Sequence, residues 1–148
     1  MRNGFVLVLA ALFGVAGLGC ASSFVDPTGQ RTSLENAQRE YTKLIRWGEI
    51  RRAAGYVEPE VLEEFLSYAP FFEQIRITDA DWDALGVMPE DRQSAEVEVT
   101  YHAYSLMTFQ EKKVIETQTW TRHGGVKNQW LVRPEIGLLA EAFAYRAD

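Results

Sequence analysis

Asp79, Asp81 and Asp83 alternate along the chain, and Glu90 follows eleven residues after Asp79, which matches the acidic positions of a calcium-binding loop. Hard cations take such oxygens. The sixth position of that loop is glycine, for its sharp turn, and here it is Ala84; the eighth is usually apolar and here it is Gly86. On an extended segment the three aspartates share one solvated face opposite Ala80, Trp82 and Ala84, so no metal centre is expected. A second grouping, Glu116, Gln118, Trp120 and Arg122, sets a carboxylate, an amide, an indole and a guanidinium along one strand face, with Val114 before them. Under a helix that face forms a polar pocket with an aromatic wall, suited to orienting a small ligand. On the outer surface it is a ladder of solvated side chains. The opposite face, Ile115, Thr117, Thr119 and Thr121, is no more apolar, so alternation leaves the orientation open. His102 stands beside Glu98, Thr100 and Tyr104 on a polar strand face, where a histidine and a carboxylate have the means for acid–base work near neutral pH; an exposed strand pair is the simpler account. His123 precedes Gly124-Gly125 at a turn and needs no special role. The chain has no Gly-x-Ser-x-Gly elbow, phosphate loop, dinucleotide fingerprint or His-Glu-x-x-His, and no cofactor is expected.

Composition narrows the partners. Fifteen Lys and Arg against twenty-one Asp and Glu give the 148 residues a net charge of −6, the wrong sign for a nucleic-acid surface. Two histidines and one cysteine are too few for a zinc or iron–sulfur site. That cysteine, Cys20, ends a leader in which Arg2 is the only charged side chain and Phe5 to Gly19 carries no ionisable group. A membrane-crossing helix needs roughly 20 apolar residues; this run is shorter and is interrupted by Gly14, Gly17 and Gly19, the layout of a signal peptide.

Ala16-Gly17-Leu18-Gly19-Cys20 resembles the lipobox of bacterial lipoprotein precursors. Gly19 is the strongest match; Gly17 stands where Leu, Val or Ile is usual, with the leucine displaced to Leu18. The resemblance implies cleavage before Cys20, a thioether-linked diacylglycerol on it and usually a third, amide-linked chain. Ala21 in place of aspartate implies, in a host with two membranes, sorting to the inner leaflet of the outer membrane with the folded part in the periplasm. Each buried methylene contributes about 0.8 kcal/mol, so two or more chains hold firmly. Residues 1–19 are then the signal peptide, 20–31 the lipidated terminus and a Ser-, Pro- and Gly-containing tether, and 32–148 a single domain. Loss of Arg2 leaves fourteen basic and twenty-one acidic residues, a net charge of −7, which gains little from anionic headgroups.

The elements that must position these side chains divide by period. Thr32 to Val57 reads as one helix, with Thr32 and Glu35 as a capping box, an apolar stripe of Leu34, Ala37, Tyr41, Leu44, Ile45 and Gly48, and Gly55 as its C-terminal cap. A second helix starts at Glu58-Pro59-Glu60, buries Val61, Leu62, Phe65, Leu66, Ala69 and Phe72, and ends or kinks at Pro70. Four antiparallel strands follow at 74–83, 95–109, 113–122 and 128–133, rich in β-branched and aromatic residues. In the second, Ala95, Val97, Val99, Tyr101, Ala103, Met107 and Phe109 share the buried face. Residues 110–112 and 123–127 are the hairpin connections, and Leu138, Leu139, Ala142 and Phe143 form a short tail helix.

The expected fold is therefore α+β: a long N-terminal helix and a second helix packed on a curved four-stranded antiparallel sheet. With Trp47-Gly48-Glu49, Ala53-Ala54 and Tyr56-Val57 at the end of the first helix, the arrangement resembles the nuclear transport factor 2-like (cystatin-like) superfamily over roughly 115 residues, without a catalytic motif. Its members include isomerases, dehydratases, cyclases and many binding domains. The sequence thus points to a lipid-anchored envelope protein whose domain binds a protein partner or small ligand without catalysis, the alternative being a small-molecule carrier or an isomerase- or cyclase-like enzyme with a pocket between helix and sheet.

Overall fold

The computed structural model describes residues 29–83, 93–124 and 129–144. The leader, Cys20, most of the tether and Glu90 lie outside them. No helix among the described residues is long and apolar enough to cross a membrane.

Helix α1 spans Gln30–Arg46 and begins two residues ahead of Thr32. Thr32 therefore lies inside the helix and is not its N-cap. Gly29, with φ 66°, is the N-cap and makes no side-chain bond. The helix also stops eleven residues short of Val57, because Gly48 takes φ 72°, its N–H reaching the Ile45 carbonyl at 2.9 Å and the Glu49 N–H reaching Leu44 at 2.9 Å. That pair of bonds is the Schellman termination, in which a left-handed glycine satisfies the last carbonyls. Gly48 is therefore an exposed stop signal and not part of the apolar stripe. The chain then restarts in short pieces: α2 (Ile50–Ala53), 3-10 turns at Ala54–Tyr56 and Pro59–Val61, α3 (Leu62–Ser67) and α4 (Ala69–Phe72). Pro70 opens α4 after a break at Tyr68. Phe65 and Phe72 are buried as expected, while Leu66 faces solvent. Gly55 lies exposed within a 3-10 turn and does not cap α1.

Strands β1 (Ile75–Trp82), β2 (Ser94–Ser105), β3 (Glu111–His123) and β4 (Gln129–Arg133) pair antiparallel in sequence order. The molecule is thus α+β with a four-stranded antiparallel sheet. In β2 the alternation holds without interruption from Ala95 through Ala103. The strand ends at Ser105, not at residue 109, since Phe109 adopts φ 56° and its N–H bonds back to the Ser105 carbonyl. Met107 and Phe109 are therefore on an exposed hairpin tip, not in the core. In β1 a bulge between Ile77 and Asp79 lets Ile75, Ile77 and Ala80 share the buried face despite their odd–odd–even numbering. Arg46 at the end of α1 clasps this bulge, donating to the Thr78 carbonyl at 2.6 Å with Asp79 at 3.6 Å.

Within the sheet β4 pairs with Thr119–His123, and α5 (Gly137–Phe143) packs against β3. Leu139 is fully buried there, and the Lys112 ammonium bonds the Ala142 carbonyl. On the other side of β4, Val57 bridges Val132 in parallel and the Glu58 N–H donates to the Val132 carbonyl. α1 contributes Leu34, Tyr41, Leu44 and Ile45 to the same core as β2's Val97, Val99 and Tyr101 and β4's Trp130 and Val132.

Candidate functional site

The face of β3 that carries Val114, Glu116, Gln118 and Trp120 turns inward, toward α1. Its register against β2 pairs Tyr101 with Val114, Val99 with Glu116, Val97 with Gln118 and Ala95 with Trp120. Glu116, Gln118 and Trp120 are fully buried. The Gln118 amide is the hub: it donates to Glu116 Oε2 at 2.9 Å and to the Tyr101 hydroxyl at 3.2 Å, while its carbonyl accepts from the Trp120 indole at 3.2 Å. From α1, Tyr41 meets Trp120 edge to face, with centroids 5.8 Å apart. Arg122, the fourth member of the expected grouping, is only half-buried near the end of the strand and does not join these bonds. The face is thus interior, but its first three polar side chains bond one another.

Two buried oxygens in this cluster lack partners, Glu116 Oε1 and the Tyr41 hydroxyl. Burial pushes the Glu116 carboxyl up to about 7, while the bond from Gln118 and the nearby Tyr101 hydroxyl and Glu135 backbone hold it down. Burial, and then the nearby Glu116 charge, raise both Tyr41 and Tyr101 well above the usual phenol range. A carboxyl that changes charge near neutrality, between two phenols that stay protonated, can take or give a proton where a reagent reaches it.

Sequence reasoning did not single out Tyr41 and Tyr101 as parts of this cluster, reading both as apolar-face residues. The available signal was on α1, where Gln38 and Thr42 lie four residues apart on the stripe of Leu34, Tyr41 and Ile45; both are buried and bonded to each other at 3.0 Å. The remaining candidates are apart from the cluster. Asp79 and Asp81 are exposed on β1, Asp83 follows its end, and among the described residues no three His, Cys, Asp or Glu side chains are grouped to hold a metal ion. His102 is half-buried on β2 opposite Lys113 and Asp79. His123 lies 3.9 Å from the buried Glu58, whose other oxygen receives Arg133 at 2.8 and 2.9 Å.

A cleft of about 460 Å³ lies between α3 and the β4–α5 connection. Phe65 and Tyr68 come from α3, and Ile136 and Leu138 from the far wall; Glu64, Glu135 and Glu141 also line it. No family model, curated protein or solved structure matches this chain.

Proposed function

We propose that this is a lipid-anchored envelope protein, acylated on Cys20 and held at the inner leaflet of the outer membrane, whose periplasmic domain is a non-catalytic binding or assembly module of nuclear transport factor 2-like architecture. Helices first, then four strands in sequence order with α1 packed on one face, support that architecture. The observation that carries the binding role is Phe109. It is 77% exposed and holds φ 56°, a backbone conformation that costs a side-chain-bearing residue about 1–2 kcal/mol and that glycine adopts freely. Beside it Leu106 is 38% and Met107 79% exposed, so a strained tip presents three apolar side chains to its surroundings. A protein partner covers such a tip with aromatic and Met-rich contacts of the kind enriched at interface cores.

The test places a photo-crosslinking amino acid at position 109 of the full chain in its own envelope. A protein adduct is expected, and Cys20→Ser should abolish acylation, membrane retention and the adduct together. A Cys20→Ser protein that still fractionates with membranes overturns the anchor; absence of any protein adduct from position 109 overturns the docking role.

Glu116 favours a second reading, a carrier or isomerase-like enzyme in which α1 parts from the sheet to admit a small substrate. A substrate screen separates the two: turnover lost in a folded Glu116→Gln protein would favour the enzyme.

A further inference from the structure

We infer that the cleft between α3 and the β4–α5 connection binds an organic cation, an ammonium or guanidinium group carried on an apolar stem; this deepens the binding-module reading and rests on it. Its volume of about 460 Å³ is that of a small-molecule site. Three carboxylates line it, Glu64 from α3, Glu135 from the connection and Glu141 from α5, all exposed and, among the described residues, none in an ion pair. Among the described residues the cleft's one cation, Arg133, is already engaged by Glu58 through two contacts to one oxygen. The lining therefore carries unspent negative charge. Phe65, Tyr68, Ile136 and Leu138 give the stem apolar surface, and an aromatic ring in the lining, as at the half-buried Tyr68, suits a cation.

Glu116 does not line the cleft but lies behind it. It is fully buried, its Oε1 has no donor, and it lies beside Glu135, close enough for the Glu135 backbone and carboxylate both to act on it. The negative charge of the cleft is carried by its own lining, on Glu64, Glu135 and Glu141. The favoured occupant is positive, and an anion of the same hydrocarbon shape is excluded by charge.

The experiment titrates phenethylammonium chloride into the full-length acylated protein in detergent micelles, followed by calorimetry. Saturable one-site binding is expected. An exposed charge pair contributes up to about 1 kcal/mol, or roughly fivefold in affinity, so Glu64→Gln/Glu135→Gln/Glu141→Gln should weaken binding about tenfold or more. These side chains are exposed, and a circular dichroism melt confirms that the variant is folded. Gly137→Ala gives a charge-neutral check, because its Cβ would stand 2.9 Å from the Tyr68 hydroxyl and displace that ring; it too should weaken the cation. A short peptide with one lysine flanked by leucines distinguishes the source. Tighter binding of the peptide indicates a partner protein's basic side chain, and tighter binding of the free amine indicates a small metabolite. Failure of both cations to bind, equal binding of phenylpropionate, or affinity unchanged in the triple variant overturns the inference. If the cleft fails while position 109 still yields protein adducts, the binding-module reading stands; if both fail, it falls with the cleft.

Discussion

A carboxylate buried between two tyrosines, with no cation paired to it among the described residues, is harder to ionise in the folded chain than in the unfolded one. Glu116 moves from an ordinary value of 4.5 to about 7 for that reason. Between those values the folded state binds a proton that the unfolded state has released, so stability falls as pH rises through the window and levels off above about 7. At 1.36 kcal/mol per unit the difference is about 3 kcal/mol. Glu116→Gln should therefore remove this slope and exceed the wild type in urea midpoint at pH 8, the two converging toward pH 4.5. A gap that narrows as pH rises would contradict the sign. The tyrosines divide in the same experiment. The Tyr41 hydroxyl is buried without a partner, so Tyr41→Phe should be neutral or stabilising by up to about 1 kcal/mol. The Tyr101 hydroxyl accepts from Gln118, and Tyr101→Phe should cost about 1–2 kcal/mol.

At the scale of elements, two left-handed residues decide where regular structure stops. Gly48 ends α1 through its Schellman bonds, and Gly48→Ala should lower stability by about 1 kcal/mol without changing the strands. Phe109→Gly should do the opposite, relieving φ 56° and raising the urea midpoint by about the same amount while losing partner capture. A Phe109→Gly protein that is no more stable than the wild type would remove the argument from strain. These positions also mark what could be read from the chain beforehand. Ala95, Val97, Val99, Tyr101 and Ala103 announced the buried face of β2, because β-branched and aromatic residues alternated with glutamates and a histidine. β3 stayed ambiguous, since both of its faces carry polar side chains; its direction follows from packing against α1, which local pattern does not encode. The stripe of α1 ran on through Gly48 because a period of 3.6 counts glycine as compatible, whereas the left-handed turn there is fixed by two carbonyls seeking partners. The β1 bulge was hidden for a similar reason: Asp79 and Ala80 fit an unbroken alternation as well as a shifted one. The cleft assembles Glu64, Glu135 and Glu141 from parts of the chain some seventy residues apart, so no local spacing signalled it.

For the whole molecule, the direction of the sheet sets what an N-terminal anchor would present. α1 begins where Ser33 accepts the Trp130 indole at 2.9 Å; Trp130 pairs with Arg122, and the next β3 residue, Thr121, pairs with Ser94 at the start of β2. From there β2 runs eleven residue steps to Ser105, about 36 Å at 3.3 Å per step. The tip with Leu106, Met107 and Phe109 thus lies at the opposite end from Gly29. Eight residues separate Cys20 from Gly29, a reach of at most about 30 Å. In the proposed lipid-anchored form the first turn of α1 would stay within that reach of the headgroups, and the hairpin at the far end would be the part free to meet a protein. Crosslinkers at Thr32 and Phe109 should therefore differ in kind: position 32 should form adducts with labelled lipid, and position 109 with protein. If acyl chains carry the attachment, as proposed, and residues 20–148 bear a net charge of −7, molar salt should not release the protein from vesicles, and anionic lipid should not strengthen its hold. Lipid adducts at position 109 matching those at position 32, or release by salt, would mean that the domain lies on the membrane surface and that the apolar tip is buried in lipid.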